Sequence, residues 1–241
     1  MIACRCRLVL DNPVKRSIFV ITGTDTGVGK TVLACLLAGH LRDAGVPVAA
    51  LKPVCSGDRD DARRLCAASG AALTLDEINP WHFRSPQAPL LAARQEGRTL
   101  KLTEVLARVR RVQKRFQTVL VEGAGGLLSP LGENFDSRDL ILALDATPIV
   151  VCPNRLGAIN QTLLVLAALP PPVSRRARIM LVSPERSDRS SLSNPGLLAE
   201  RLGPQRVHVL PRLKHPKRAG LTSPDRRVRR ALRALLRSAG C

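Results

Sequence analysis

The stretch Gly23-Thr24-Asp25-Thr26-Gly27-Val28-Gly29-Lys30-Thr31 constrains this chain more than any other, because of what flanks it. Before it runs an apolar, β-branched segment, Ser17 to Thr22, and after it a helix-forming one, Val32 to Gly39. The order is strand, glycine-rich loop, helix. Such a loop folds so that successive backbone N–H groups converge on phosphate oxygens, while the helix start adds the positive end of its dipole. Lys30 contributes a point charge and Thr31 a hydroxyl suited to Mg²⁺, so the segment predicts a bound nucleoside triphosphate. The spacing is a lengthened variant: five residues, not four, separate Gly23 from Gly29.

The rest of the chain supplies a sheet around that loop. Val46 to Leu51, Thr118 to Val121, Pro148 to Cys152, Ile179 to Val182 and Val207 to Leu210 are short continuous apolar runs, the pattern of strands buried on both faces. Helical spacing separates them at 62–68, 102–112, 140–144 and 159–169. The alternation predicts one α/β domain of the P-loop NTPase type over residues 17–241, its mostly parallel sheet flanked by helices on both faces. Residues 1–16 form an extension without an assigned role. Pro80, Pro86 and Pro89 predict an irregular segment around Trp81. Residues 224–238, opened by Ser223 and Pro224, read as a basic amphipathic helix with Val228, Ala231, Leu232, Leu235 and Leu236 on its apolar stripe.

Composition narrows the function classes. The seven cysteines, at 4, 6, 35, 55, 66, 152 and 241, have neither CxxC nor paired-histidine spacing and read as free thiols. No apolar run approaches the length of a membrane span, and the N-terminus has no signal-like core, so a cytoplasmic protein is expected. The net charge is +19, and residues 171–241 alone hold 17 Lys/Arg against 4 Asp/Glu. Base-stacking aromatics are nearly absent, with no Tyr and one Trp, so the basic third reads as a solvated face, not a nucleic-acid surface.

In parallel sheets ligands bind beyond the C-terminal strand ends, and four groups of residues converge there. They are the loop, Lys52 with Ser56 and Asp61, Glu122 before the glycines 123, 125 and 126, and Leu156 to Asn160 opening a helix. Asp61 and Glu122 with Thr31 match the one or two carboxylates that Mg²⁺ takes beside phosphates. Lys30 and Lys52 would neutralise a transferring phosphoryl group. An acid closing a buried strand, as Glu122 does, is costly if left unpaired, so a metal or a cationic partner is expected. Gly125 and Gly126 leave room for a substrate against backbone N–H groups. Cys55, in the same loop as Ser56, lacks any motif of a nucleophile.

These residues resemble a known family. Gly-Thr-Asp-Thr-x-Val-Gly-Lys-Thr at 23–31, Lys-Pro-Val-x-Ser-Gly at 52–57, Asn-Pro-x-x-Phe at 79–83, Gln-Glu-Gly-Arg at 95–98, Val-Glu-Gly-Ala-Gly-Gly at 121–126 and Leu-Gly-x-Ile-Asn at 156–160 are similar to dethiobiotin synthetases. The resemblance implies the substrates ATP, CO₂ and 7,8-diaminopelargonate, with dethiobiotin, ADP and phosphate as products. It also implies roles: Lys30, Lys52, Thr26 and Ser56 in phosphoryl transfer and carbamate handling, Thr31, Asp61 and Glu122 on Mg²⁺, and the loop 23–31 with Ser183 and Pro211 around the nucleotide. Family members are homodimers, and the substrate carboxylate would rest on a partner-chain helix start, here Gly157, Ala158, Ile159 and Asn160. Where the family reads adenine with an Asn-containing segment, this chain has Ser183-Pro184. The alternatives are a related ATPase switch that partitions DNA or positions division machinery, and an inactive nucleotide-binding paralogue with a basic DNA-binding surface. Asp25 stands where the switches carry lysine and argues for the enzyme.

Overall fold

The computed structural model describes residues 16–213 and 224–240. Its strands are β1 (Ser17–Gly23), β2 (Val48–Leu51), β3 (Val54–Ser56), β4 (Trp81–Phe83), β5 (Thr118–Glu122), β6 (Thr147–Pro153), β7 (Arg178–Val182) and β8 (Val207–Leu210). The helices are α1 (Lys30–Asp43), α2 (Asp60–Ala68), α3 (Leu75–Ile78), α4 (Pro89–Gln95), α5 (Leu102–Gln113), α6 (Ser137–Leu144), α7 (Ala158–Ala167), α8 (Pro171–Arg176), α9 (Arg189–Leu202) and α10 (Arg226–Ser238).

Six strands form one parallel sheet in the order β2-β5-β1-β6-β7-β8, and β3 pairs with β4 in a second, two-stranded sheet. Strand β1 lies between β5 and β6, with Val20 opposite both Val121 and Pro148. Its side chains alternate between the two faces, yet Phe19 to Thr22 are all buried, so helices cover both. The single-domain α/β fold read from the sequence is therefore the one observed. The order reverses at β1, and the crevice beyond its C-terminal end, between the β5 and β6 crossovers, is where such sheets bind ligands.

Several elements differ from the sequence reading. Strand β2 begins at Val48, because Pro47 has no N–H and uses only its carbonyl, which accepts from the N–H groups of Gln117 (3.0 Å) and Thr118 (3.1 Å). The segment around Trp81 is not wholly irregular: Trp81–Phe83 pairs with the strand that leads to Ser56. Helix α6 starts at Ser137, earlier than 140, since the Asp136 carboxylate accepts from the N–H groups of Arg138 and Asp139. Helix α10 starts at Arg226, with Asp225 as its cap, and Ser223 lies outside the described residues. Its apolar stripe packs inward, as expected: Val228, Leu232, Leu235 and Leu236 are buried. Residues 1–15, most of the N-terminal extension, lie outside the described residues.

Helix α9 has no counterpart in the sequence reading because Pro195 sits inside it. Proline lacks the N–H that would bond the carbonyl four residues back, that of Ser191. Here the Asn154 amide takes that place, donating to the Ser191 carbonyl at 2.8 Å, while the Asn194 amide donates to Asn154 Oδ1 and to the Arg155 carbonyl. Tertiary hydrogen bonds from the end of β6 thus keep the helix continuous through the proline.

Candidate active site

The loop between β1 and α1 is shaped by glycines at specific points. Gly29 has φ of +101°, a left-handed conformation that side chains rarely adopt, and from it the chain enters α1 at Lys30. A Cβ at Gly23 would come within 2.6 Å of Val28 Cγ2, so the loop folds back on itself only around glycine. The Lys30 ammonium donates to the Asp25 carbonyl at 2.7 Å, and the Thr26 N–H donates to Asp25 Oδ1 at 2.7 Å. The first N–H groups of a helix have no intrahelical acceptor, and Lys30, Thr31 and Val32, which open α1, line the cavity beside the loop.

A cavity of about 730 Å³ opens there. Thr26, Gly27, Gly29, Lys30 and Thr31 form its loop side, and Lys52, Ser56, Asp61, Glu122 and Gly125 form the facing walls. The structure therefore brings together the loop, both lysines, both carboxylates and Ser56. Gly23, Thr24, Asp25 and Val28 shape the loop without facing the cavity.

At the centre is a buried charge cluster. Lys52, the residue after β2, donates to Glu122 Oε1 at 2.8 Å and to Asp61 Oδ2 at 2.5 Å; the Thr31 hydroxyl donates to the same Glu122 oxygen at 2.6 Å. Lys52 and Glu122 are 7% and 2% exposed, so each charge depends on the other for solvation. Burial lowers the Lys52 pKa, but the charges of Glu122 and Asp61 outweigh it and hold the group firmly protonated. Lys30 moves the other way: burial depresses it, assisted by the Lys52 charge and opposed by Glu122. Asp61, also penalised by burial, is nonetheless held below its ordinary value by the Lys52 ammonium.

Glu122 Oε2 is buried and has no hydrogen-bond partner. An orphaned carboxylate oxygen beside a hydroxyl and a second carboxylate is a hard, all-oxygen donor set that fits a small divalent cation. Among the described residues no three His, Cys, Asp or Glu side chains gather as a self-sufficient metal cage. The set suits a cation that also takes phosphate and water oxygens.

The residues carrying this chemistry are held by a scaffold that sequence reasoning overlooked. Asn79, 1% exposed, donates from Nδ2 to the Lys52 carbonyl at 2.7 Å and accepts at Oδ1 from Cys55 Sγ and Arg59 Nε. It ties down both ends of the segment Lys52 to Cys55. The only signal in the sequence is its place in the Asn-Pro-x-x-Phe motif. Cys55 faces the cavity, and burial pushes its thiol pKa up, which favours the protonated thiol. The Ser56 hydroxyl donates to the Gln87 carbonyl at 2.5 Å, bringing the 86–89 segment to the cavity mouth.

Some expected residues lie elsewhere. Gly126 does not face the cavity, and its N–H is taken by Ser129 Oγ at 2.9 Å, so it offers no free donor to a substrate. Gly125 does face it, with φ of +70°. Ser183 follows β7 at the same sheet edge, its N–H bonded to the Leu210 carbonyl at 3.0 Å, and neither it nor Pro211 reaches the cavity wall. Val182 is the closer neighbour, 3.4 Å from where a Gly29 Cβ would stand. Gly157 to Asn160 open α7 outside this chain's cavity.

Comparison with known proteins places the chain. A family model described as an AAA domain matches residues 17–212. The ATP-dependent dethiobiotin synthetase of Anaeromyxobacter dehalogenans (strain 2CP-C) is 37% identical over 231 residues, covering 91% of this chain and 95% of that protein. The corresponding synthetase of Bacillus licheniformis is 42% identical over 151 residues, covering 61% of this chain and 64% of that protein. Among solved structures, a ParA family ATPase from Chlorobium tepidum (TM-score 0.56, 14% identical, 91% of this chain and 96% of that one) shares the fold. So does the MinD cell division protein of Aquifex aeolicus (TM-score 0.55, 13% identical, 92% and 95%). At that identity the two likenesses speak for the fold alone, whereas the matches through most of the sequence are to synthetases. With its phosphate loop, AAA-domain match and near full-length similarity to these enzymes, the chain belongs to the dethiobiotin synthetase family.

Proposed function

We propose that the protein is an ATP-dependent dethiobiotin synthase, a ligase of biotin biosynthesis, and the observation that carries this is the Lys52–Glu122–Asp61–Thr31 cluster lining one cavity together with Lys30. An amine of 7,8-diaminopelargonate attacks CO₂ to form a carbamate. A carbamate oxygen then takes the γ-phosphoryl group of ATP, releasing ADP, and the second amine closes the ureido ring as phosphate leaves. In such a transfer positioning and charge stabilisation do most of the work.

The residues divide that work. Lys52 is buried and held protonated, so it offers a fixed cation to the carbamate and the transferring phosphoryl group. Lys30 returns from the Asp25 carbonyl to the phosphates, with Thr26 beside it. Ser56 holds the substrate side. Thr31, Asp61 and Glu122 would hold Mg²⁺, and that ion, when bound, neutralises phosphate charge. Ser183 and Pro211 stand on the side of the sheet edge where the base would lie.

The reading extends to assembly and location. We place the substrate carboxylate on the Gly157 to Asn160 helix start of a second copy, in a homodimer with a shared active site. Leu156 and Leu164, 76% and 62% exposed on and beside α7, support that interface. Among the described residues no helix is long and apolar enough to cross a membrane, and Cys35, Cys55, Cys66 and Cys152 are free thiols, which suits the cytoplasm.

The test supplies diaminopelargonate, bicarbonate, Mg²⁺ and ATP and looks for dethiobiotin by mass spectrometry. Its appearance, dependent on every component, is expected. ATP hydrolysis without product, stimulated by DNA, would overturn the reading in favour of the ATPase switch.

A further inference from the structure

A second, smaller cavity of about 280 Å³ lies between α1 and α10, at the opposite edge of the sheet from the phosphate loop. Val46 and Gln117, which line it, precede β2 and β5, whereas the active site lies beyond the strands' C-terminal ends. Its floor is apolar, made by Leu41, Val46 and Leu236, with Leu41 and Leu236 nearly buried. The other lining residues are polar, Gln117 and the exposed Arg233 and Arg237, the two arginines one turn apart on the same face of α10.

Several arginines among the described residues are already engaged by acids. Arg59, Arg94 and Arg115 each meet a carboxylate at 2.8 Å. Among the described residues Arg233 and Arg237 have no ion-pair or hydrogen-bond partner, and neither has the Gln117 side chain. The positive field is felt nearby: burial lowers the His40 pKa, and the Arg233 and Arg229 charges lower it further, only partly opposed by Asp43.

We propose that this groove binds a medium-chain aliphatic carboxylate, its head held by Arg233 and Arg237 and its chain laid over Leu41, Val46 and Leu236. Planar guanidinium forks match a carboxylate's two oxygens and make charge-assisted hydrogen bonds to it. The floor has no polar group to satisfy and favours a tail over a bare anion. The volume lies just below the range of ligand clefts, roughly 300 to 1,000 Å³, which suits a medium-chain acid better than a long-chain one. The site is separate from the nucleotide cavity, so the inference stands apart from the catalytic reading.

Isothermal titration of the full chain with octanoate tests it, with acetate, octanol and octyl phosphate as comparators. Octanoate is expected to bind saturably, with acetate and octanol each weaker by about tenfold or more, since one lacks the tail and the other the charge. The double variant Arg233→Gln/Arg237→Gln is expected to weaken octanoate by about tenfold or more, while Arg226→Gln/Arg227→Gln, which removes equal charge two turns away on the same helix, leaves it within about twofold. All four side chains are exposed, so both variants are expected to fold as the parent does. Absence of saturable octanoate binding, equal binding of octanol, equal loss in both variants, or octyl phosphate binding about tenfold tighter than octanoate would each overturn the proposal.

Discussion

Replacing Lys52 with methionine should do two separable things. It removes the cation proposed to stabilise the phosphoryl transfer, and it leaves Glu122, 2% exposed, with only the Thr31 hydroxyl for company. Stranding one member of a buried ion pair costs about 3–5 kcal/mol. The Asp61 side chain is 40% exposed, so water replaces much of its lost partner and most of the cost falls on Glu122. For a domain of this size each kcal/mol moves the melting temperature by about 2–4 °C, so Lys52→Met should melt roughly 10 °C below the parent. Adding Glu122→Gln removes the stranded charge, because Gln is neutral and can still accept from Thr31. The double variant should then recover to within about 1 kcal/mol of the parent. Activity should not recover: both variants should lose about 10²-fold or more in kcat, as expected when a preorganised charge is taken from a transfer site. Urea denaturation at neutral pH gives the stabilities and product formation the rates. A double variant as unstable as Lys52→Met would refute the stranded-charge argument, and near-normal turnover in Lys52→Met would remove Lys52 from the chemistry.

Three further outcomes follow from local geometry. Gly125→Ala should destabilise by about 1–3 kcal/mol and impair turnover, because φ is +70° and the new Cβ would stand 2.3 Å from Ser129 Oγ; Gly126→Ala, whose nearest neighbour would be 3.6 Å away, should be mild, and comparing their melting temperatures checks the difference. Asp61 is held below its ordinary value of 3.8, so the stability it contributes is complete above that pH and is lost as pH falls through the depressed folded value. Asp61→Asn should therefore be less stable than the parent at pH 7, with the gap narrowing below about pH 4; a constant gap in urea midpoints would count against the pairing. Asn154→Ala should cost about 1–3 kcal/mol and speed amide exchange in α9, since it leaves the Ser191 carbonyl and the Asn194 amide short of partners; unchanged exchange would show that the helix passes Pro195 by other means.

The sequence exposed the centre of this site because charge at the end of an apolar strand is costly and so conspicuous. Lys52 and Glu122 stood out for that reason, and they prove to solvate each other. Asp61 looked like an acid at a helix start and is one, yet it also closes the pair. What periodicity could not reveal was held by contacts distant in the chain. Asn79 reaches back 27 residues to Lys52, and Asn154 reaches forward 37 residues to rescue a helix that its own proline argues against. The glycines after β5 illustrate the same limit: the sequence offered both as open backbone, and only the fold shows Ser129 occupying the N–H of Gly126. Likewise the basic stripe of α10 was legible, but the groove it edges depends on α1 and the β2 and β5 edges meeting it.

In the proposed reaction this cavity carboxylates a diamine at the expense of ATP. Supplying ¹³C-bicarbonate with diaminopelargonate, ATP and Mg²⁺, and following ¹³C by NMR alongside ADP release, tests it most directly. Label is expected in the ureido carbonyl of dethiobiotin, one carbon per ADP formed, with no incorporation by Lys52→Met. ADP formation with no labelled ring carbonyl would contradict it.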